Sequence, residues 1–177
     1  SHAVVIGFTL IFIIRIFANF SGAHFNPIVS ILFFLQKELS SKDLFLYILI
    51  QIVAAILGTF FANYIFGLNV IEISSNMRSG TNIYISEIFA AIGLLLVILL
   101  SRTDGKNIVA FNVGIYITAA IIFTSSASFA NPAVTIARVF TESFAGINPS
   151  TVIFFISCQV IGMFAAYLLY NQFFKSK

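Results

Sequence analysis

The sequence predicts an all-α membrane protein, a helical bundle built from inverted repeats with two half-helices that re-enter the membrane. Three observations predict it. The chain is 60% apolar and only 8% charged, with a mean hydropathy of +1.06, whereas a soluble domain carries about 25% charged residues. Five apolar runs are long enough for a bilayer core, which needs about 20 residues of helix. Two copies of a short motif, Asn26-Pro27-Ile28 and Asn131-Pro132-Ala133, each open a further apolar run too short to cross.

The spans read in order as Ala3 to Ala18, Leu44 to Phe66, Ile83 to Leu100, Ile108 to Thr124, and Thr151 to Phe174. The first is interrupted only by Thr9 and Arg15, and Glu87 sits near the start of the third. Asn26 to Gln36 lies between the first and second spans, and Asn131 to Phe140 between the fourth and fifth. Each short run makes about 15 Å of helix, half a crossing. Asn followed by Pro is a helix start, because Asn caps and Pro is preset for the first turn. The connectors carry breakers: the charged stretch Lys37 to Asp43, the long polar stretch Gly67 to Asn82, Ser101 to Asn107, and Phe144 to Ser150.

Charge gives a direction. If each short run returns to the side it left, then Lys37, Lys42, Arg102, Lys106, Lys175 and Lys177 share one side. Arg78 and Arg138 lie toward the other. The first side and the C-terminus are then cytoplasmic, in a plasma or bacterial inner membrane. No basic run points to nucleic acid. No Cys/His spacing suits a metal, the lone Cys158 reads as packing, and no cofactor is expected. An enzyme is not expected either, since no nucleophile–base set and no phosphate loop is present. The chain begins at Ser1 and not Met. It is read as processed, trimmed or partial.

A shift of 105 residues overlays the motifs, Asn26 on Asn131, Val29 on Val134, Ser30 on Thr135, with Ser21-Gly22-Ala23 on Ser126-Ala127-Ser128. Gln51-Ile52-Val53-Ala54 then resembles Gln159-Val160-Ile161-Gly162 after a three-residue drift. Each unit runs span, half-helix, span, and one span separates the units. The second unit is therefore inverted, so the half-helix N-termini meet near the midplane. The whole chain, 1–177, is expected to be one domain. Residues 1–66 form the first repeat and 83–174 the second.

This layout resembles the aquaporin, or major intrinsic protein, family. The residues that carry the resemblance are Ser21 to Pro27 and Asn131-Pro132-Ala133, with Glu87 at the place of a buried helix glutamate. The resemblance implies an aquaporin-like right-handed bundle, a homotetramer in the lipid bilayer, and passage of water and small neutral solutes. Two departures stand out. The family has six full spans, and the first span of the first unit is missing here; it is expected upstream of Ser1, or absent from this version. Most members also place Arg directly after the second Asn-Pro-Ala, where this chain has Val134.

The cap oxygens of Asn26 and Asn131 are expected to hold their own half-helices, leaving the amide NH2 groups to meet a passing oxygen. Helix dipoles at the same point repel cations. By resemblance, a second constriction falls at Ile6, Ala119, Ser128 and Val134. Without the Arg it is wide and weakly polar, which favours glycerol, urea or undissociated metalloid acids. Arg138, one turn beyond Val134, either reaches the outer mouth or stays at its half-helix end with the last carbonyls or Glu142. His24 either lines the vestibule or ties the loop to a neighbouring helix. Glu87 is either a proton-relay acid or, by resemblance, an acceptor for the re-entrant loop's N–H groups. Gly58, Gly93, Gly114 and Gly162 are expected at close helix contacts. Two rival functions stay open. One is a coupled secondary transporter, which would need more buried ionisable groups than Glu87 and Arg15. The other is a non-conducting, truncated remnant of a channel.

Overall fold

The structure, a computed structural model, describes residues 2–174. Seven α-helices follow one another: α1 (His2–Ser21), α2 (Pro27–Leu35), α3 (Ser41–Ile65), α4 (Thr81–Ser101), α5 (Lys106–Phe123), α6 (Pro132–Ala137) and α7 (Pro149–Leu169). Five of them, α1, α3, α4, α5 and α7, are long and apolar enough to cross a membrane. The two remaining helices are the short runs. α2 has 9 residues, about 14 Å of helix. α6 has 6 residues and tightens into a 3-10 turn over Arg138–Phe140. The fold is thus the expected all-α, aquaporin-like membrane bundle. The expected placement of Lys175 and Lys177 falls outside the described residues.

Each start has a local cause. Asn26 and Asn131 cap α2 and α6, with Pro at the first helical position in both. Ser40 caps α3, its Oγ accepting from Asp43 N at 3.1 Å and donating to Asp43 Oδ2 at 2.7 Å. A third Asn-Pro, Asn148-Pro149, starts the full-length α7.

Packing is uneven. The two closest pairs are α4 with α7 and α1 with α5. Small residues permit this, because lipid supplies no hydrophobic drive between helices and backbones must approach closely. A Cβ at Gly162 would lie 2.6 Å from the Ile88 carbonyl oxygen and 2.8 Å from Ala91 Cβ. Gly7 and Gly114 face each other's helices in the same way, and Gly93 meets the Tyr116 ring. Gly58 corrects the expectation: nothing lies within 4 Å of its would-be Cβ. It sits on α3, which touches α2 and α6 but buries only Asn63. Large exposed apolar side chains, among them Phe8, Phe12, Phe45 and Phe61, form the outer surface.

The connector from Phe66 to Gly80 is not a free loop. Ser74 N donates to Val139 O at 2.8 Å, Asn148 N to Asn76 O at 2.8 Å, and Asn76 Nδ2 to Ser143 O at 2.7 Å. It covers the turn after α6 and fixes that end of the bundle.

Candidate conduction site

The site is built where α2 and α6 meet head to head. Asn26 Oδ1 accepts from Ile28 N at 3.1 Å, and Asn131 Oδ1 accepts from Ala133 N at 3.0 Å and Val134 N at 3.3 Å. The amide groups then cross over. Asn26 Nδ2 donates to Ala130 O at 2.7 Å, and Asn131 Nδ2 donates to Phe25 O at 2.9 Å. Each tip therefore clamps the backbone of the opposite loop. This revises the expectation of two free NH2 groups. A side-chain amide has two N–H donors, so one per Asn holds the opposite loop and one is left for the space beside it. Pro27, Ile28, Pro132 and Ala133 are buried behind the tips and do not line the cavity beside them.

The approach loops carry a second repeat that sequence reasoning missed. Gly22, Ala23 and Phe25 have φ of 70°, 49° and 48°, and Ala127, Ser128 and Ala130 have 59°, 47° and 44°. The same shift of 105 relates them. Left-handed backbone costs about 1–2 kcal/mol at each non-Gly residue, so the loops hold this shape only because the Asn clamps and the surrounding helices dictate it. The run of small residues before each motif was the available signal: short side chains lower the steric cost of the turn.

Beside the tips lies a cavity of about 210 Å³, several times the roughly 30 Å³ that one water occupies in the liquid. One wall is apolar. Ile6, Leu10 and Ile14 of α1 and Val109, Val113, Ile117 and Ile121 of α5 line it at spacings of four residues, the periodicity of one helix face. The other wall is the pair of approach loops with Asn26 and Asn131.

Most of the expected site residues come together here. Ile6, Ser128, Val134, Arg138 and His24 all line the cavity. Ser128 Oγ is buried and has no partner among the described residues. Ala119 does not join them: it is exposed on the outer face of α5, while Ile117 and Ile121 face in. Two residues of helix turn the side chain by about 200°, so an ungapped count from the motif lands on the wrong face. His24 does both things expected of it. It lines the cavity, and its Nδ1 lies 3.1 Å from Ser30 Oγ while its ring packs on Phe33 and Tyr47.

Glu87 is buried at α4 and accepts from Ala130 N and from Gln159 Nε2, the latter at 2.8 Å. It supports the loop and does not line the cavity. Arg138 meets neither of its expected local partners. Its guanidinium lies over the Phe129 ring, 4.1 Å from the centroid. Glu142 is bound instead by Ser75, whose N donates at 2.6 Å and whose Oγ donates to the other oxygen. Those bonds hold the Glu142 carboxyl below the usual carboxylate range.

Comparison with known proteins fits this geometry. A family model described as Major intrinsic protein matches residues 1–130. Aquaglyceroporin AqpS of Rhizobium meliloti (strain 1021) is 39% identical over 169 residues, which cover 96% of this chain and 72% of that protein.

Proposed function

This chain belongs to the major intrinsic protein family, and on that premise we propose that its cavity passes small uncharged solutes larger than water, together with water. The coarse function follows from the family: an integral multi-pass membrane protein that is a channel for water and small solutes, not an enzyme. The finer reading favours glycerol, urea or undissociated metalloid acids. One observation carries it. The position after the second Asn-Pro-Ala is Val134, and it faces the cavity beside Ile6 and Ser128. Val134 itself adds no charge there, Arg138 being one turn further on, and the Asn amides supply separated polar contacts beside an apolar wall. The relative's name, aquaglyceroporin, agrees with this reading.

Coupled transport draws less support. Glu87 is already engaged by Ala130 N and Gln159, which suits a structural brace better than a proton carrier. We also read the chain as one channel domain, with 1–66 in the first repeat and 83–174 as the second. A homotetramer is the expected assembly. Lys37, Lys42, Arg102 and Lys106 are assigned to the cytoplasmic side. An Arg102–Glu38 ion pair at 2.8 Å and Lys106 Nζ donating to Ala18 O at 3.2 Å draw two connectors and the last turn of α1 to one end of the bundle, which supports a common side for these charges.

The test is stopped-flow swelling of proteoliposomes without any ion gradient. Val134→Arg is expected to lower glycerol and urea permeability at least tenfold and water permeability far less. Glycerol flux equal in the two proteins would refute the constriction, and a flux that requires an ion gradient would refute the channel.

A further inference from the structure

We propose that Arg78 and Arg138 form a binding subsite for a small oxyanion at the α6-side mouth of the cavity. Both guanidinium groups lie on one ring. Arg138 Cζ is 4.1 Å and Arg78 Cζ 5.0 Å from the centroid of Phe129, which is buried. Both arginines, with His2 and Phe144, line a second cavity of about 110 Å³, and Arg138 lines the main cavity as well. The subsite therefore opens onto the path described above.

The two arginines are held differently. Arg78 is fixed by its own bonds: Nε donates to Gly146 O at 2.8 Å and Nη2 to Phe144 O at 2.7 Å. Arg138 is held by stacking and by burial. Among the described residues no carboxylate pairs with either one. Arg102–Glu38 is the ion pair there, at the opposite end of the bundle, and Glu142 is taken by Ser75. The Arg138 side chain donates no hydrogen bond to any described residue.

A guanidinium carries five N–H donors in a fork that matches the oxygens of a carboxylate or phosphate. At Arg138 that fork faces cavity space. Two like charges sharing one ring repel each other; Glu87 acts on both but touches neither, so an anion placed beside both relieves the repulsion at contact distance while supplying acceptors. A neutral hydroxyl accepts a hydrogen bond but leaves the charge unbalanced. The chemistry thus selects a compact anion with several oxygens. At roughly 30 Å³ per liquid water, the second cavity has room for a tetrahedral oxyanion with a water beside it. An anion there also stands in the mouth, so its occupancy slows neutral solutes. That consequence rests on the proposed channel function, whereas the binding itself does not.

The probe is inorganic phosphate, observed by 31P NMR with the purified full chain in a neutral detergent. Saturable line broadening is expected, reversed by sulfate and not by chloride at equal ionic strength. Arg138→Gln and Arg78→Gln are each expected to weaken binding at least tenfold. Arg138→Lys keeps the charge and loses the fork, so it is expected to weaken binding several-fold, and it serves if the Gln variant does not fold by size-exclusion profile. Broadening that chloride reverses equally, or that persists unchanged in the folded Arg138 variants, would overturn the subsite. In proteoliposomes, sulfate replacing chloride is expected to slow glycerol entry in the parent protein and not in Arg138→Gln; equal slowing in both would overturn the mouth position. A parent protein that binds phosphate yet passes no glycerol would refute the channel reading and leave the subsite standing.

Discussion

Behind the first tip, Gln51 Nε2 reaches Ser30 Oγ at 3.0 Å; behind the second, Gln159 Nε2 reaches both Thr135 Oγ1 at 2.9 Å and Glu87 Oε1 at 2.8 Å. The two glutamines do the same job at equivalent places, yet only the second is tied to a carboxylate. Glu87 also takes the N–H of Ala130, while the equivalent N–H, that of Phe25, meets no acceptor among the described residues. The difference continues outward. α7 packs along α4, and its Gln159, Gly162, Met163 and Ala166 are buried. On α3, beyond Gln51, the corresponding positions are open: Ala54 and Gly58 are exposed among the described residues. The tips are alike because each Asn makes the same cap and the same cross-clamp; the supports differ because, among the described residues, only the second is tied to a buried carboxylate on a neighbouring helix.

Substitutions can break that comparison. The largest effect is expected from Glu87→Leu, which orphans the Ala130 N–H and one of the two Gln159 Nε2 donors, the other staying on Thr135. Each buried group left unpaired costs about 1–3 kcal/mol, so a loss of about 3 kcal/mol is expected in detergent unfolding. Gln51→Leu, which removes one bond at a half-exposed site, is expected to cost about 1 kcal/mol. Equal losses would mean that the two halves are braced alike. Next comes Gly162→Leu, which drives a side chain into Ile88 and Ala91 and should cost about 2 kcal/mol by overpacking. Gly58→Leu on the open face should stay within about 0.5 kcal/mol; a comparable loss there would show that a helix packs on α3 in the membrane. The smallest effect concerns the connector over α6. The folded Glu142 carboxyl titrates below its ordinary range because of Ser75. Its contribution is therefore present above the unfolded carboxylate value and fades as pH falls through the lower folded value. Acidification should loosen the Phe66–Gly80 connector, read as faster proteolysis there, and Ser75→Ala should weaken that pH dependence without removing it, because the backbone N–H at position 75 still donates to Glu142.

Much of this was legible in the residues. Hydropathy separated the spans, and Asn-Pro placed both half-helix starts to the residue. The 105-residue shift anticipated that the tips would meet, and the Gln51/Gln159 likeness anticipated their parallel bonds to Ser30 and Thr135. Asn148-Pro149 shows the limit of the motif: the same dipeptide opens an ordinary full-length helix, so what marks the other two is the half-length run that follows. What stayed hidden depends on three-dimensional register. The amide groups clamp the opposite backbone because the left-handed loops turn the Phe25 and Ala130 carbonyls toward them, a geometry that composition does not encode. Of the places the residues left open for Arg138, the partner four residues on is ruled out, because ring stacking on Phe129 and the competing bonds of Ser75 separate it from Glu142. Ala119 missed the cavity because counting along the chain does not preserve the rotational phase of α5.

That phase offers the most direct test of the conduit. In a Cys158→Ser background, Ile117→Cys places a thiol on the cavity wall and Ala119→Cys places one on the outer face of the same helix. With a small water-soluble thiol reagent, modification at 117 is expected to abolish glycerol flux in proteoliposomes and treatment of the 119 variant to leave it unchanged. Block at 119 with free passage at 117 would contradict the account, because solutes would then travel along the other side of α5.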